Sequence, residues 1–476
     1  MGQEINQTSF TDAEVDHFRN CLREETATLK KWFDERAFEY ADQPDIGLEL
    51  EGWLVDENYL PAPMNEAFLK EADDPDIVEE LSKFNFEVNA PPQALNSACF
   101  TATEADLNRT WAKCVAAADR LNLKPCAIGI MPTVRDEMLQ TEWLSDANRY
   151  QALNDEILRR RKGKPLHIDI KGYEHLDYHC DHIMLEAACT SLQSHLKINQ
   201  EDAVRFYNAG VLAAGPLVAA TANSAYLYGK SLWAETRIPA FEQATALEGY
   251  RDASGNNVLR VTLGTGYIRH SFLELFLANL SYPPLLPAIV ENRAKLPHLK
   301  LQNGTVWRWV RPILGFNKEK VPHLRIEHRV MPAGPSIVDT VANLALCHGL
   351  MFALAKQDTP PELETPYEDV VANFYACAKD GLRAKVRWRR KSVDVQSLLL
   401  DELIPMARTA LEKEGVSADD LDKFFTETLI PRIRSGRTGA NWQRRYVELN
   451  GTNRQALAEA YMAHQATGKP VHDWTV

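Results

Sequence analysis

The sequence contains no C-x-x-C pair. Its eight cysteines (Cys21, Cys99, Cys114, Cys126, Cys180, Cys189, Cys347 and Cys377) are scattered. They stand in apolar segments such as Ala187-Ala188-Cys189, the setting of reduced, buried thiols, so a cytoplasmic protein is expected rather than a disulfide scaffold. Excess positive charge is missing as well: 53 Lys and Arg against 66 Asp and Glu leave a net −13. That balance excludes bulk electrostatic binding to nucleic acid or to an anionic membrane. No apolar run approaches the length of a membrane span. The opening MGQEINQTSFTDAEV has neither the basic n-region nor the apolar h-region of a secretory signal. No internal repeat or low-complexity segment is present. Gly264-Thr265-Gly266 lies in a polar extended stretch and lacks the rest of a dinucleotide fingerprint. No serine or cysteine stands in the surroundings of an activated nucleophile.

What remains, in 476 residues with 45% hydrophobic and 25% charged side chains, is an ordinary globular composition with room for one large sheet enzyme or two to three domains. The central stretch is Ile46-Gly47-Leu48-Glu49-Leu50-Glu51-Gly52-Trp53-Leu54-Val55. Its leucines alternate with Glu49 and Glu51, the pattern of a strand with one apolar face. On the other face the two carboxylates fall about 7 Å apart at ~3.4 Å per residue. Clustered carboxylates in an apolar segment need a partner, and a hard divalent cation is the usual one.

Further strands are expected over 83–89, ended by Ala90-Pro91-Pro92, and over 126–131, 186–198, 305–311 and 324–331. Their polar positions include Glu87, Gln193, His195, Arg311, Glu327 and Arg329. Residues 1–10 read as disordered. Thr11-x-x-Glu14 and Thr101-x-x-Glu104 read as capping boxes that open helices, and Asn199 reads as the cap of a long apolar helix. Residues 134–185 and 223–304 read as irregular. Helices are expected over 335–356 and 367–385 and through most of the last ninety residues. Six strands with alternating rather than continuous apolar pattern favour an α+β fold, an antiparallel sheet with helices on one face. Were the six polar faces to line one surface, it would mix carboxylates with arginines, which suits Mg²⁺ and nucleotide phosphates together.

Three other groups draw the eye. His175, His179, Cys180, Asp181 and His182 resemble metal ligands but are out of order for a zinc finger, so a structural or solvent-facing role is expected. The basic run Lys385–Lys391 reads as a solvated helix end. Arg437-Thr438-Gly439-Ala440 reads as a turn between helices.

The segments IGLELEGWLVD, FEVNAPP, TSLQSHL, ATANSAYLYGKSLWAETR, TVWRWVRP and LRIEHRVMPAGPSIVDTVANLAL, in this order, resemble the glutamate–cysteine ligase family 2, bacterial carboxylate–amine ligases with a glutamine-synthetase-like fold. The resemblance implies a six-stranded curved antiparallel sheet forming a funnel, helices on its outer face, and binding of ATP and Mg²⁺. By resemblance, Glu49, Glu51, Glu87 and Glu327 match metal-ligand positions. Gln193 and His195 match a strand that serves metal or nucleotide. Arg329 matches a phosphate-contacting catalytic arginine, and Arg311 and Arg237 match basic positions toward nucleotide or substrate. The division implied is an N-terminal helical segment over 1–43, a catalytic domain over 44–385 and a helical extension over 386–476. The implied reaction activates a carboxylate as an acyl phosphate, which an amine displaces; glutamate and cysteine are the default pair. The partners are then small molecules, with no nucleic acid or membrane, and self-association into a homo-oligomer is left open. The chain departs from familiar members at Ala222-Asn223-Ser224-Ala225, at Leu192 and at Pro332-Ala333-Gly334-Pro335. Two other readings stay open: a guanidino-type phosphotransferase and a silent nucleotide-binding regulator.

Overall fold

The computed structural model describes residues 4–247 and 259–476. Its strands are β1 Asp45–Val55, β2 Ile77–Glu79, β3 Asn85–Ala94, β4 Lys124–Cys126, β5 Leu166–Lys171, β6 His175–Cys180, β7 Ser191–Ile198, β8 Tyr226–Leu227, β9 Lys230–Ser231, β10 Val310–Phe316, β11 Pro322–Pro332, β12 Lys385–Trp388 and β13 Lys391–Asp394. Seven of them form one antiparallel sheet in the order β10-β11-β7-β1-β3-β2. β4 takes over from β7 beside the last residues of β1. The expected sheet class is therefore observed, as a curled half-barrel with helices behind it, with one strand more than the six anticipated. The addition is the three-residue edge strand β2, too short to show a period.

Alternation sorts the sheet into two faces. Leu48 and Leu50 of β1, Leu192 and Leu196 of β7, and Ile326 and Val330 of β11 are buried in one hydrophobic cluster. That cluster includes most of the helices Ala203–Thr221 and Ile337–Ala355. Both helices are long and apolar enough to cross a membrane, contrary to the expectation from run length. Their side chains are mostly buried against the sheet and the surrounding helices. Two polar links join these layers: His328 to the Gly210 carbonyl at 3.0 Å and Ser194 to His348 at 3.1 Å. The odd-numbered residues of these strands, as far as the bulge in β11 before Met331, are left to face the other way.

Several local expectations are corrected. β3 does not stop at Ala90. It bulges where Pro91 and Pro92, which have no N–H for a ladder, leave the register, and it pairs again at Gln93 and Ala94. The strand expected at 126–131 pairs only through Cys126. Those expected at 186–198 and 305–311 begin later, at Ser191 and Val310. The Thr11 capping box is present, but the second helix starts at Cys99 rather than after Thr101. Asp420, distant in sequence, caps it by accepting from Phe100 N at 2.8 Å and Thr101 Oγ1 at 2.6 Å. Asn199 does not cap the helix that follows it. Its amide instead exchanges two 3.0 Å hydrogen bonds with the Ala41 backbone. Residues 134–185 contain the β5–β6 hairpin. In 223–304, residues 248–258 lie outside the described ones, and three short helices, Arg237–Ala244, Leu273–Asn279 and Pro297–Gly304, interrupt the rest. Residues 1–3 likewise lie outside, but Ile5 is buried, contrary to the disorder expected there.

The basic run Lys385–Lys391 is no helix end. It makes the β12–β13 hairpin, with Arg389 and Arg390 at φ 47° and 64° in the two-residue turn. Arg387 pairs with Asp369 at 3.1 Å. The turn at Arg437 is as expected: Gly436 closes one helix in the left-handed region and Thr438 caps the next. A side chain at Gly439 would collide with Asn223. Asn223 is buried, and its amide donates to Tyr461 Oη and the Ala333 carbonyl at 2.8 Å each.

Candidate active site

The face opposite the helices floors a cavity of about 500 Å³. Its lining includes Glu49, Glu51, Gln193, His195, Arg311, Glu327 and Arg329, so seven residues singled out from sequence converge on one surface. Register explains how. Glu49 stands opposite Gln193, Glu327 opposite both His195 and Arg311, and Glu51 opposite Glu87. Glu87 is fully buried at the margin of the floor.

The carboxylates fall into two electrostatic kinds. Burial opposes ionisation of Glu49, but the charge of His195 and its hydrogen bond at 3.1 Å hold Glu49 down at about 2. Burial likewise opposes ionisation of Glu327, and Arg311 and Arg329, at 2.9 and 2.8 Å, hold it far below the usual range. Glu51 accepts from Ser191 N at 2.7 Å, Ser191 Oγ at 2.9 Å and Gln193 Nε2 at 2.6 Å, yet burial still raises it. Glu87 is raised well above the ordinary value by burial and by the charges of Glu49 and Glu80. Its Oε2 is buried without a hydrogen-bond partner among the described residues.

Gln193 does not present a free ligand atom. Its amide nitrogen is committed to Glu51 and its oxygen accepts from Arg329, which makes it a spacer that orients both. His195 is hydrogen-bonded to Glu49 and acts on that carboxylate in the same sense.

Arg329 owes its aim to a bulge. Pairing of β11 with β7 shifts between His328 and Met331, and the Arg329 N–H turns to the Trp309 carbonyl at 2.9 Å. The carbonyls of Arg329 and Val330 accept from Arg237 at 3.1 and 3.2 Å. Arg237 is itself buried and paired with Glu235 at 3.1 Å. It is not among the residues lining the cavity, so the nucleotide-facing position expected for it is corrected to that of a brace behind Arg329. A bulge held in this way points one side chain to a fixed place.

Sequence reasoning missed Glu80 and Glu186, both in the cavity wall. The strand expected over 186–198 has a parity that turns even residues, Glu186 among them, toward the apolar face. A 3-10 turn over Glu186–Ala188 resets that parity before β7 begins. Burial, with the nearby Glu51 charge, pushes Glu186 up to about 8 despite Arg329. Glu80 follows the unrecognised edge strand, and burial with the charges of Glu51 and Glu186 raises it strongly. The rest of the wall includes Phe276, Leu286, Leu299 and Trp307, the basic Lys300 and Arg325, and the polar Asn303 and Thr305. Trp309 belongs to the core, its indole donating to Glu242 at 2.9 Å.

The donor set fits a hard divalent cation. Glu51, Glu80 and Glu87 each offer a carboxylate oxygen, all within 4.8 Å of one another. Like charges so close and largely buried repel and are costly to desolvate, and Glu87 Oε2 lacks a donor among the described residues. An oxygen-liganded cation such as Mg²⁺ answers both. No thiol competes as a nucleophile: burial pushes Cys180 up to about 11 and Cys99, Cys114 and Cys347 to about 12.

Residues 45–464 match the family model of glutamate-cysteine ligase family 2, a span that runs through most of the C-terminal helices. Among solved structures, the glutamate–cysteine ligase of Francisella tularensis in complex with AMP is similar, with a TM-score of 0.53 and 10% identity over 90% of each chain. A bifunctional glutathione synthetase from Pasteurella multocida gives a TM-score of 0.54 and 12% identity, over 90% of this chain and 53% of that one. At such identity the likeness is one of fold. No curated protein matches the sequence.

Proposed function

We propose, from the premise that this chain belongs to the glutamate-cysteine ligase family 2, that it is an ATP- and Mg²⁺-dependent carboxylate–amine ligase. The observation that carries the reading is the mixed charge of the cavity floor. A cluster of carboxylates suited to a cation lies beside Glu327, which two arginines flank at 2.9 and 2.8 Å. A site for a cation alone would not hold Arg311 and Arg329 among the carboxylates, and a site for an anion alone would not hold Glu51, Glu80 and Glu87.

Mg²⁺ held by Glu51, Glu80 and Glu87, with Glu49 and Glu327 adjoining, would neutralise phosphate charge when bound. The chain's own groups do the rest. Arg329, buried and braced, aims its guanidinium at a transferring phosphoryl group, and Arg311 faces the same point from the neighbouring strand. Gln193 and His195 fix the carboxylates around them. The apolar wall of Phe276, Leu286, Leu299 and Trp307 suits a purine or an aliphatic substrate part. Activation of the acid as an acyl phosphate, followed by attack of an amine, needs no protein nucleophile, in keeping with the buried thiols. Glutamate and cysteine are the default substrates.

The test is ADP release over pairs of amino acids, each partner alone and both together. A ligase releases ADP only with both, and hydroxylamine in place of the amine traps the acid as a hydroxamate. A stable phosphorylated product formed from one substrate alone would replace this reading with the phosphotransferase.

A further inference from the structure

The sequence sets His175, His179, Cys180 and His182 close together, and the structure divides them. Alternation along β6 buries Cys180 in the core, and His182 beyond the strand is buried too. His175, Asp177 and His179 stay exposed. β5 pairs with β6 in the register His167↔His179 and Asp169↔Asp177, which brings a further imidazole and a further carboxylate onto the same face. No spacing rule within either strand could have joined them.

The two carboxylates are not equivalent. Asp169 is engaged by His175 at 2.7 Å and Lys171 at 3.4 Å. Asp177 contacts His167 at 3.0 Å and stands 4.0 Å from His179. The His167 and His179 rings lie face to face, 4.3 Å apart and 7° from parallel. One donor atom each from His167, Asp177 and His179 lies within 4.8 Å of the others.

We propose that His167, Asp177 and His179 form a surface site for a borderline first-row divalent ion, with Zn²⁺ as its representative. Two imidazole nitrogens and one carboxylate oxygen are a donor set such ions accept and Mg²⁺ does not favour. Metal–ligand bonds of ~2.0–2.2 Å put donor atoms roughly 3.4 Å apart in a tetrahedral shell. The Asp177–His167 distance of 3.0 Å is already close to that, and the His179 ring, 56% exposed, has room to turn in. The backbone beneath is firm, because Leu166, Ile168 and Ile170 on the reverse face of β5 are buried in the core. The fourth position is left to solvent. None of the three residues lines the cavity, so the site is separate from the one that would hold Mg²⁺.

The experiment is zinc titration of the full-length protein in excess Mg²⁺, with the bound metal counted after gel filtration and its ligands read by X-ray absorption. Wild type is expected to hold one zinc more than the double variant His167→Ala/His179→Ala, with two imidazoles in its scattering. Either single alanine should weaken that zinc at least tenfold, equivalent to about 1.4 kcal/mol. Asp177→Asn should weaken it as well while leaving the melting temperature without zinc unchanged. Equal zinc counts in wild type and the double variant would overturn the proposal, and so would a wild-type zinc whose spectrum shows fewer than two imidazoles.

Discussion

Arg329→Lys separates a residue that holds the nucleotide from one that acts when the phosphoryl group moves. In the folded protein the guanidinium donates to Glu327 at 2.8 Å and also to the Gln193 oxygen. Its own backbone is fixed by Trp309 and Arg237. Both contacts come from one guanidinium nitrogen, and lysine keeps the charge but neither that nitrogen's position nor the planar fork, so at least one hydrogen bond is weakened. Glu327 still has Arg311 at 2.9 Å, so no buried charge is left alone. The stability cost should be that of one buried hydrogen bond, about 1–2 kcal/mol. The rate cost should be larger. An arginine that neutralises charge chiefly in the transition state is worth on the order of 10³-fold in phosphoryl transfer, or about 4 kcal/mol. Both Arg329→Lys and Arg329→Ala should therefore bind ATP–Mg²⁺ within about tenfold of wild type by calorimetry. Their kcat for ADP release should fall at least a hundredfold, an order-of-magnitude expectation on the same ground. Loss of nucleotide binding in Arg329→Lys would make the arginine a ground-state anchor. A kcat within tenfold of wild type would remove it from the chemistry.

Other variants test the surrounding parts. Glu51→Gln and Glu87→Gln should each abolish turnover and the Mg²⁺-dependent rise in melting temperature, while stability without cation holds or rises because a repelling charge is gone. Glu186, raised to about 8 from an ordinary 4.5, binds more protons folded than unfolded between those values, so its contribution to stability is lost as pH rises through that window. Glu186→Gln should accordingly be more stable than wild type at pH 9 and no more stable at pH 4, by denaturant unfolding in the absence of cation. Arg237→Met should leave Glu235 buried without its cation and the two β11 carbonyls without a donor. It should lose about 3–5 kcal/mol of stability and slow kcat, with nucleotide affinity less affected. Tyr461→Phe should lose about 1–3 kcal/mol by leaving the Asn223 amide and the Ala127 carbonyl short of a partner.

The site was legible where a strand keeps strict alternation. Glu49 and Glu51 on β1, and Glu327 on β11, are set by parity alone, and the register of an antiparallel sheet then brings them together. It was illegible where parity is interrupted. The turn at Glu186–Ala188 turns Glu186 toward the cavity against its apparent face, and Glu80 follows an edge strand of three residues. Arg237 misled because an arginine that lines a cavity and one behind it look alike in sequence; only the bulge in β11 shows that two carbonyls there need a donor. Caps followed the same rule. The first helix is capped from within its own first turn by Thr11 and Glu14, whereas the helix at Cys99 is capped by Asp420, which no local pattern contains. The β5 strand carried a readable period in Leu166, Ile168 and Ile170, but its histidines and aspartates gave the segment an irregular look until the partner strand was known.

The central claim, that a substrate carboxylate is activated by phosphate on the way to an amide, is tested most directly by oxygen transfer. The acid selected by the ADP-release screen is supplied with ¹⁸O in its carboxylate, together with its amine and ATP–Mg²⁺. The released phosphate is then analysed by mass spectrometry. An acyl phosphate displaced by the amine carries one carboxylate oxygen away, so one ¹⁸O per phosphate is expected, in step with amide formed. Phosphate free of ¹⁸O while amide accumulates would contradict the account.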